Sequence, residues 1–313
     1  MTQISVLIPV YNAGPYLSAT LDSVLAQMHK DVEIVAVDDG STDGSDEILD
    51  RYADRITVLR NAKSSGASAA RNCAFAASTG DAVLYLDADD IIAPNHLAAL
   101  SEAIKHHDQE AIAFGRWARF HAHPNEAIFP NRPTERTMPG VDWLLTDWCN
   151  MQPMMQCGMF LIPRALIERA GGWDERLSLI DDFEFFSRLI TTASGMVFAP
   201  EARLYYRSGN AGSLSGQKSR KAVESQHLSL MLGTDHLLTA ENSPRTRGAS
   251  ANVLAQFDYE HYPAHADLRA SVRTRVAELG GADVAPSGPP NFHRLRRLIG
   301  WRAARRVQRA MGR

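Results

Sequence analysis

Between Ile4 and Leu86 the chain alternates short apolar, β-branched runs with segments of helical period, a rhythm that winds into a parallel sheet flanked by helices. Ile4-Ser5-Val6-Leu7-Ile8-Pro9-Val10 opens the pattern, and a run so poor in polar residues suits a strand covered on both faces. Gly14-Pro15 then starts a helix in which Leu17, Leu21, Val24 and Leu25 share a face, with Pro15 in the first turn. Strands are predicted at 32–37, 56–59 and 82–86, and helices at 46–52 and 67–78.

After about residue 94 the pattern becomes mixed. It predicts a helix near 95–106, a strand at 111–120, an irregular Pro-rich stretch at 124–139 and a strand at 159–162. A helix at 163–170 closed by Gly171-Gly172 follows, then one at 182–190 with Phe185, Phe186 and Leu189 inward. One continuous sheet is expected through both halves. The organisation read from this is a domain at 1–215 with halves 1–110 and 111–215, a helical extension at 216–281, a Pro/Gly linker at 282–290 and a tail at 291–313.

The chain has 313 residues, 45% hydrophobic and 22% charged, as a globular protein does. No apolar stretch approaches the roughly 20 residues that span a bilayer, and Met1-Thr2-Gln3-Ile4 lacks a basic leader, so a cytoplasmic location is expected. Cys73, Cys149 and Cys157 form no Cys-x-x-Cys pair and are expected to be reduced. The net charge of −3 hides a split, because the last 23 residues hold eight arginines and no acids, leaving a body of −11 with a tail of +8. In a helix over 292–311, Phe292, Leu295, Ile299, Ala303, Val307 and Ala310 would share one face and most arginines the other, the pattern of an interfacial membrane helix. The alternatives are docking on the acidic body and an RNA-binding arm; without interleaved stacking aromatics no nucleic-acid partner is expected.

In an open parallel sheet, ligands bind beyond the carboxyl ends of the strands. Strand one ends in Pro9-Val10-Tyr11-Asn12, strand two in Asp38-Asp39-Gly40-Ser41-Thr42-Asp43, and strand four in Asp87-Ala88-Asp89-Asp90. Alternate carboxylates such as Asp87 and Asp89 are hard oxygen ligands, suited to Mg²⁺ or Mn²⁺ on a diphosphate. An isolated Asp-x-Asp is more often a solvated turn; after an apolar strand in this architecture the binding role is favoured. No Gly-x-Gly-x-x-Gly follows strand one and no Gly-x-x-x-x-Gly-Lys-Ser/Thr occurs, which excludes standard dinucleotide oxidoreductases and P-loop proteins.

These motifs, together with Gly66-Ala67-Ser68-Ala69-Ala70-Arg71-Asn72, Gly171-Gly172-Trp173-Asp174-Glu175 and Asp181-Asp182-Phe183-Glu184-Phe185, resemble family 2 glycosyltransferases over about residues 3–215. The resemblance implies the α/β GT-A fold, a Rossmann-like, mainly parallel mixed sheet, and an inverting, non-processive transferase acting on a nucleotide-diphosphate sugar, a UDP-sugar first among them. It implies that 1–110 is the nucleotide-sugar-binding half and 111–215 the acceptor-binding half, that Pro9, Val10, Tyr11, Asn12, Asp38 and Asp39 frame the base and ribose, and that Arg71 lies near the base or diphosphate. Asp87, Ala88 and Asp89 would be the family's Asp-x-Asp, with Asp89 the direct ligand of a divalent metal, Mn or Mg. Asp181-Asp182 matches the family's Glu-Asp pair, with Asp182 the general base. Either aspartate could instead cap the following helix.

Two departures stand out. Ser208, Gly209 and Asn210 replace the His that many relatives carry after the stretch corresponding to Tyr206-Arg207, leaving Arg207 or the loop to 216 to serve the diphosphate. Gln217-Lys218-Ser219-Arg220-Lys221 lacks the tryptophan of the processive synthases. A carbohydrate or lipid-linked acceptor, a surface-glycan product and an anionic membrane surface met by 291–313 complete the expectation. Its rivals are a non-catalytic nucleotide-sugar scaffold and a sugar nucleotidyltransferase, the latter opposed by the loop after strand one. His121 and His123 alternate on a possible strand, where contact with the acceptor and plain exposed positions explain them equally well; His261 and His265 are read as surface or core histidines, and Trp143, Trp148 and Trp173 as mainly core, although one could stack on a sugar face.

Overall fold

The structure, a computed structural model, describes residues 3–105, 107, 110–149, 153–209, 219–286 and 289–310. Strand β1 (Ile4–Val10) is buried along its whole length, as its apolar run requires. Helix α1 (Gly14–Leu25) turns Leu17, Leu21 and Val24 inward. Then come β2 (Val32–Asp38), α2 (Ser45–Asp50), β3 (Thr57–Arg60), α3 (Ala67–Ala77) and β4 (Ala82–Tyr85). β1 pairs in parallel with β2 and β4, and β2 with β3, so the winding read from the sequence is present.

The second half adds β5 (Ile91–Ile92), α4 (His96–Ile104), β6 (Ile112–Phe120), α5 (Gly140–Trp148), β7 (Phe160–Pro163), α6 (Arg164–Ala170), α7 (Asp181–Thr192) and β8 (Met196–Arg207). The eight strands among the described residues join one sheet in the order β3-β2-β1-β4-β7-β6-β8-β5. Antiparallel β7 links the halves through β4 and β6, while β6 and β8 run parallel. The long strand β8 contains Pro200, a residue that argues against a strand interior. The pairing skips from Phe114–Phe198 to Arg116–Arg203, so Pro200 falls in a bulge. Gly115 permits the close approach, because a Cβ there would lie 2.7 Å from the Ala202 Cβ.

Helices α8 (Arg220–Ala240), α9 (Pro244–His261) and α10 (Ala266–Glu278) form the expected extension, and Gly233 on α8 leaves room for the Phe183 ring of α7. Helix α11 (Pro290–Ala310) departs from expectation. Gly300, at φ +77°, breaks it, so the predicted single apolar face does not form. Phe292 and Ala304 are buried, Trp301 packs edge-on against Tyr259 and Tyr262 at 5.0 and 5.1 Å, and Leu298 and Ile299 face solvent, 82% and 47% exposed. Among the described residues, no helix is long and apolar enough to cross a membrane.

Candidate active site

The register aligns Val10 with Asp38, and hydrogen bonds from Asp39 N–H to Val10 O (2.8 Å) and Leu86 N–H to Leu7 O (2.9 Å) carry the alignment to the strand ends. Three polar loops therefore meet at one edge. The loop after β1 leaves Pro9 and Val10 buried, Tyr11 55% exposed and Asn12 at φ +50°. Asn12 donates its N–H to Ser41 Oγ (3.0 Å), and its Oδ1 accepts from Thr42 N–H (2.8 Å), latching the first loop to the second.

Asp38 closes that second loop by accepting from Ser41 N–H at 3.0 Å. Buried Asp39 accepts from Asn61 Nδ2 (2.8 Å), Ser64 Oγ (2.7 Å), Ser65 N–H (3.0 Å) and Gly66 N–H (2.9 Å). Burial raises its pKa, but these donors outweigh it and hold the carboxyl below its ordinary value. Both aspartates thus shape the wall where the base and ribose are expected.

Asp87-Ala88-Asp89-Asp90 is held from three sides. Thr20 Oγ1 donates to Ala88 O (2.9 Å), Arg207 Nε donates to Asp89 O (2.9 Å), and Arg207 N–H donates to Asp90 Oδ1 (2.8 Å). The Arg207 guanidinium lies 4.6 Å from the Tyr16 ring and 4.4 Å from that of Phe120. Expected at the diphosphate, Arg207 is a buried buttress of the acidic loop. Burial first, and then the Asp89 and Asp87 charges, push the Asp90 carboxyl well above its ordinary value, against the lowering by Arg207.

Arg71, on α3, is the hub. Its Nη2 donates to Asp87 Oδ1 (2.9 Å), its Nη1 to Asp181 Oδ2 (2.7 Å), and its guanidinium lies 4.3 Å from the Trp173 ring. Ser68 Oγ also donates to Asp181 Oδ2 (2.9 Å), and Asn72 exchanges hydrogen bonds with the Trp173 backbone at 2.8 and 2.9 Å. Residues 68, 71 and 72 share a face of α3, a spacing legible in the sequence although only Arg71 was singled out there. The face ties the acidic loop after β4 to the start of α7. Arg71 in this arrangement neutralises carboxylates.

Asp181 and Asp182 open α7, and Asp182 Oδ1 accepts its neighbour's Phe183 N–H at 2.9 Å. A helix N-terminus favours an ionised acid, yet burial first, and then the Asp181 charge, raise Asp182 to about 7. Near neutral pH it is poised to take or release a proton. Cys157 shares this floor, where burial pushes its thiol up, and none of the three cysteines is in a disulfide.

Ile180, just before this pair, is left-handed at φ +49°, a conformation that strains a β-branched residue by about 1–3 kcal/mol. Helix α8 holds it there. Ser229 Oγ donates to Ile180 O (2.6 Å), and Ser225 Oγ accepts from Ser178 and Leu179 N–H at 2.7 and 2.9 Å. Sequence reasoning missed these serines, whose i, i+4 spacing on one helix was the available signal. Ser229→Ala is expected to lower stability by about 1 kcal/mol and to lower turnover several-fold with unchanged nucleotide affinity. Unchanged turnover would show that α8 does not position the pair.

Among the described residues, no cluster of three or more His, Cys, Asp or Glu could hold a metal. Two hard carboxylates, Asp87 and Asp89, fit a Mg²⁺-type ion that takes its remaining ligands from substrate phosphates and water. The expected role of the loop from 208 to 216, and the segment Gln217-Lys218, fall largely outside the described residues. His121 Nδ1 lies 2.9 Å from Ser208 O, and His261 Nε2 lies 2.9 Å from Gln226 Oε1.

A family model described as Glycosyl transferase family 2 matches residues 5–158. Glycosyltransferase GlyG of Streptococcus pneumoniae is 35% identical over 112 residues, 35% of this chain and 37% of that protein. WfaP of Escherichia coli, named a UDP-Glc:alpha-D-GlcNAc-diphosphoundecaprenol beta-1,3-glucosyltransferase, is 38% identical over 91 residues, 29% of this chain and 36% of that protein. The chain thus matches little more than a third of the length of these relatives. The crystal structure of S. aureus TarS 1-349 in complex with UDP-GlcNAc superposes with a TM-score of 0.68 at 18% identity, over 88% of this chain and 79% of that one, which shows the shared GT-A fold. The ordered strand-end motifs, the matched family model and this fold agree: residues 5–158 carry a glycosyl transferase family 2 domain.

Proposed function

We propose that this chain transfers a sugar from a UDP-sugar to a hydroxyl acceptor with inversion, with Asp182 as the general base. The observation that carries the reading is the Arg71 bridge, which sets the Asp182 end of α7 beside the Asp87 loop while burial raises the Asp182 carboxyl to about 7. The acceptor hydroxyl gives its proton to Asp182 as its oxygen bonds to the anomeric carbon. The bond from that carbon to the diphosphate oxygen breaks, and UDP leaves with the electron pair. Pro9, Val10, Tyr11, Asn12, Asp38 and Asp39 line the base and ribose end. Asp89 and Asp87 would hold a divalent cation, Mn²⁺ or Mg²⁺, which supplies charge neutralisation at the diphosphate.

A lipid-linked saccharide is the acceptor class we favour, for surface-glycan synthesis. WfaP, by its name, acts on a diphosphoundecaprenol-linked sugar. The eight arginines of 291–313, and Leu298 and Ile299 exposed beside Arg294 and Arg297, suit an anionic leaflet on the inner face of the membrane. The test is transfer from UDP-glucose and UDP-N-acetylglucosamine, with Mn²⁺, to undecaprenyl-diphosphate-linked sugars, with the product's anomeric configuration read by NMR. An inverted product is expected; a retained configuration, or no transfer from either donor, contradicts the proposal.

A further inference from the structure

Helix α7 carries a buried ion pair that none of the roles above uses. Glu184, two residues after Asp182, has a side chain 4% exposed, and that of Arg188, one turn further on, is 15% exposed. A guanidinium has five N–H donors in a fixed plane, and in Arg188 all five are used. Nε donates to Glu184 Oε1 (2.8 Å) and Nη2 to Glu184 Oε2 (3.0 Å), while Nη1 donates to Ala170 O (2.8 Å) and Gly171 O (2.6 Å) and Nη2 also to Gly172 O (2.8 Å). A helix leaves its last carbonyls without partners of its own, and here three successive carbonyls at the end of α6 converge on one side chain. His236 Nε2 of α8 lies 2.9 Å from Glu184 Oε1, which ties the carboxylate to the helical extension as well. Burial raises the Glu184 pKa, but His236 and Arg188 outweigh it and hold the carboxyl below its ordinary value.

The turn that Arg188 holds runs straight into Trp173. Gly172 is needed for the close approach, because a Cβ there would lie 2.6 Å from Asn72 Oδ1, the atom that accepts the Trp173 N–H. The Trp173 ring stacks on Phe185 at 3.9 Å, and the Arg71 guanidinium lies 4.3 Å from the same ring. Both terminal nitrogens of Arg71 are committed, to Asp87 and Asp181, while its buried Nε has no hydrogen-bond partner among the described residues. With no bond at Nε, the indole face is what sets the plane of the fork. The indole is set by the turn, and the turn by Arg188.

Exchanging a buried ion pair for apolar residues of similar volume is often neutral for stability. What apolar residues could not supply at 184 and 188 is direction, since only a fully bonded fork aims three carbonyls at one point. We propose that Arg188, held by Glu184, is a positioning residue for transfer: it fixes the Gly171-Gly172-Trp173 turn and, through the Trp173 ring, the Arg71 fork that joins Asp87 to Asp181. The proposal deepens the transferase reading and rests on it for the effect on turnover. The effect on Arg71 is independent of it.

The test follows the Trp173 indole N–H and the Arg71 Nε–H by NMR in ¹⁵N-labelled full-length protein, beside kcat for transfer from a UDP-sugar. The indole signal is assigned from Trp173→Phe, and the arginine signal from its NOE to that indole. In Arg188→Met both signals should shift or broaden, while the indoles of Trp117 and Trp301, outside the network, keep theirs. Turnover should fall about 10–100-fold, the scale of a reacting group displaced by up to about 1 Å. Arg188→Lys should behave alike, because one ammonium cannot serve a carboxylate and three carbonyls together.

An Arg71 signal that stays in place in folded Arg188→Met overturns the proposal and leaves Arg188 a structural residue of the turn. Turnover at the wild-type rate with the Arg71 signal displaced overturns it equally. Should Arg188→Met fail to fold, Glu184→Gln, which keeps the side-chain shape and removes the charge, decides the question by the same two signals. Displaced signals together with no transfer by the wild type keep the link from Arg188 to Arg71 and remove the transferase reading instead.

Discussion

Asp182→Asn is expected to lower transfer by about 10²–10⁴-fold, the contribution of a positioned general base, while the protein still binds UDP. The wild-type rate should rise with pH through about 7, because the carboxyl must be ionised to accept the proton and its pKa is raised to about 7. The same shift sets a stability signature. Between the ordinary value of 3.8 and about 7 the folded state binds the extra proton, so this group makes stability fall as pH rises across that window. Asparagine mimics the neutral form. The variant should therefore melt higher than wild type above pH 7 and near it at acid pH. A melting difference independent of pH, or transfer at the wild-type rate, would remove Asp182 as the base.

Arg71→Met is the most damaging change expected for the fold of the site. The guanidinium is 6% exposed and bonded to Asp87 and Asp181, so its loss leaves two carboxylates without their shared counter-charge. Breaking a buried pair from one side costs about 3–5 kcal/mol, and chemical denaturation should show a midpoint shift of that size. Arg71→Lys should recover little, since one ammonium cannot reproduce a two-armed fork stacked on Trp173. Removing Arg71 also takes away a charge that holds the Asp182 pKa down, so residual activity should need higher pH. A loss below about 1 kcal/mol, the scale of an exposed pair, would show that Arg71 does not hold the two loops together.

Much of this site was legible because its loops follow buried strands. The apolar runs of β1, β2 and β4 admit little but a covered parallel sheet, and that topology brings Asn12, Asp38 and Asp87 to one edge. What the sequence hid depends on partners distant along the chain. Pro200 masks β8 because the bulge that accommodates it is made by Gly115, 85 positions earlier. Arg71 and Arg207 both read as donor-binding arginines, and only the fold shows them bonded to Asp87, Asp181 and the Asp89-Asp90 loop. The strain at Ile180 is invisible in a run of ordinary residues, because the serines that hold it sit on α8. In the tail, helical period alone predicted one apolar face, whereas Gly300 turns the chain and Trp301 docks against Tyr259 and Tyr262.

The most direct test of a metal-assisted UDP-sugar site is calorimetric titration of the protein with UDP, with and without Mn²⁺, beside the Asp89→Ala variant. Binding that strengthens at least tenfold with Mn²⁺ in the wild type, and loses that gain in Asp89→Ala, is the predicted result. UDP affinity that ignores both the metal and Asp89, or no UDP binding by folded protein, would contradict the account.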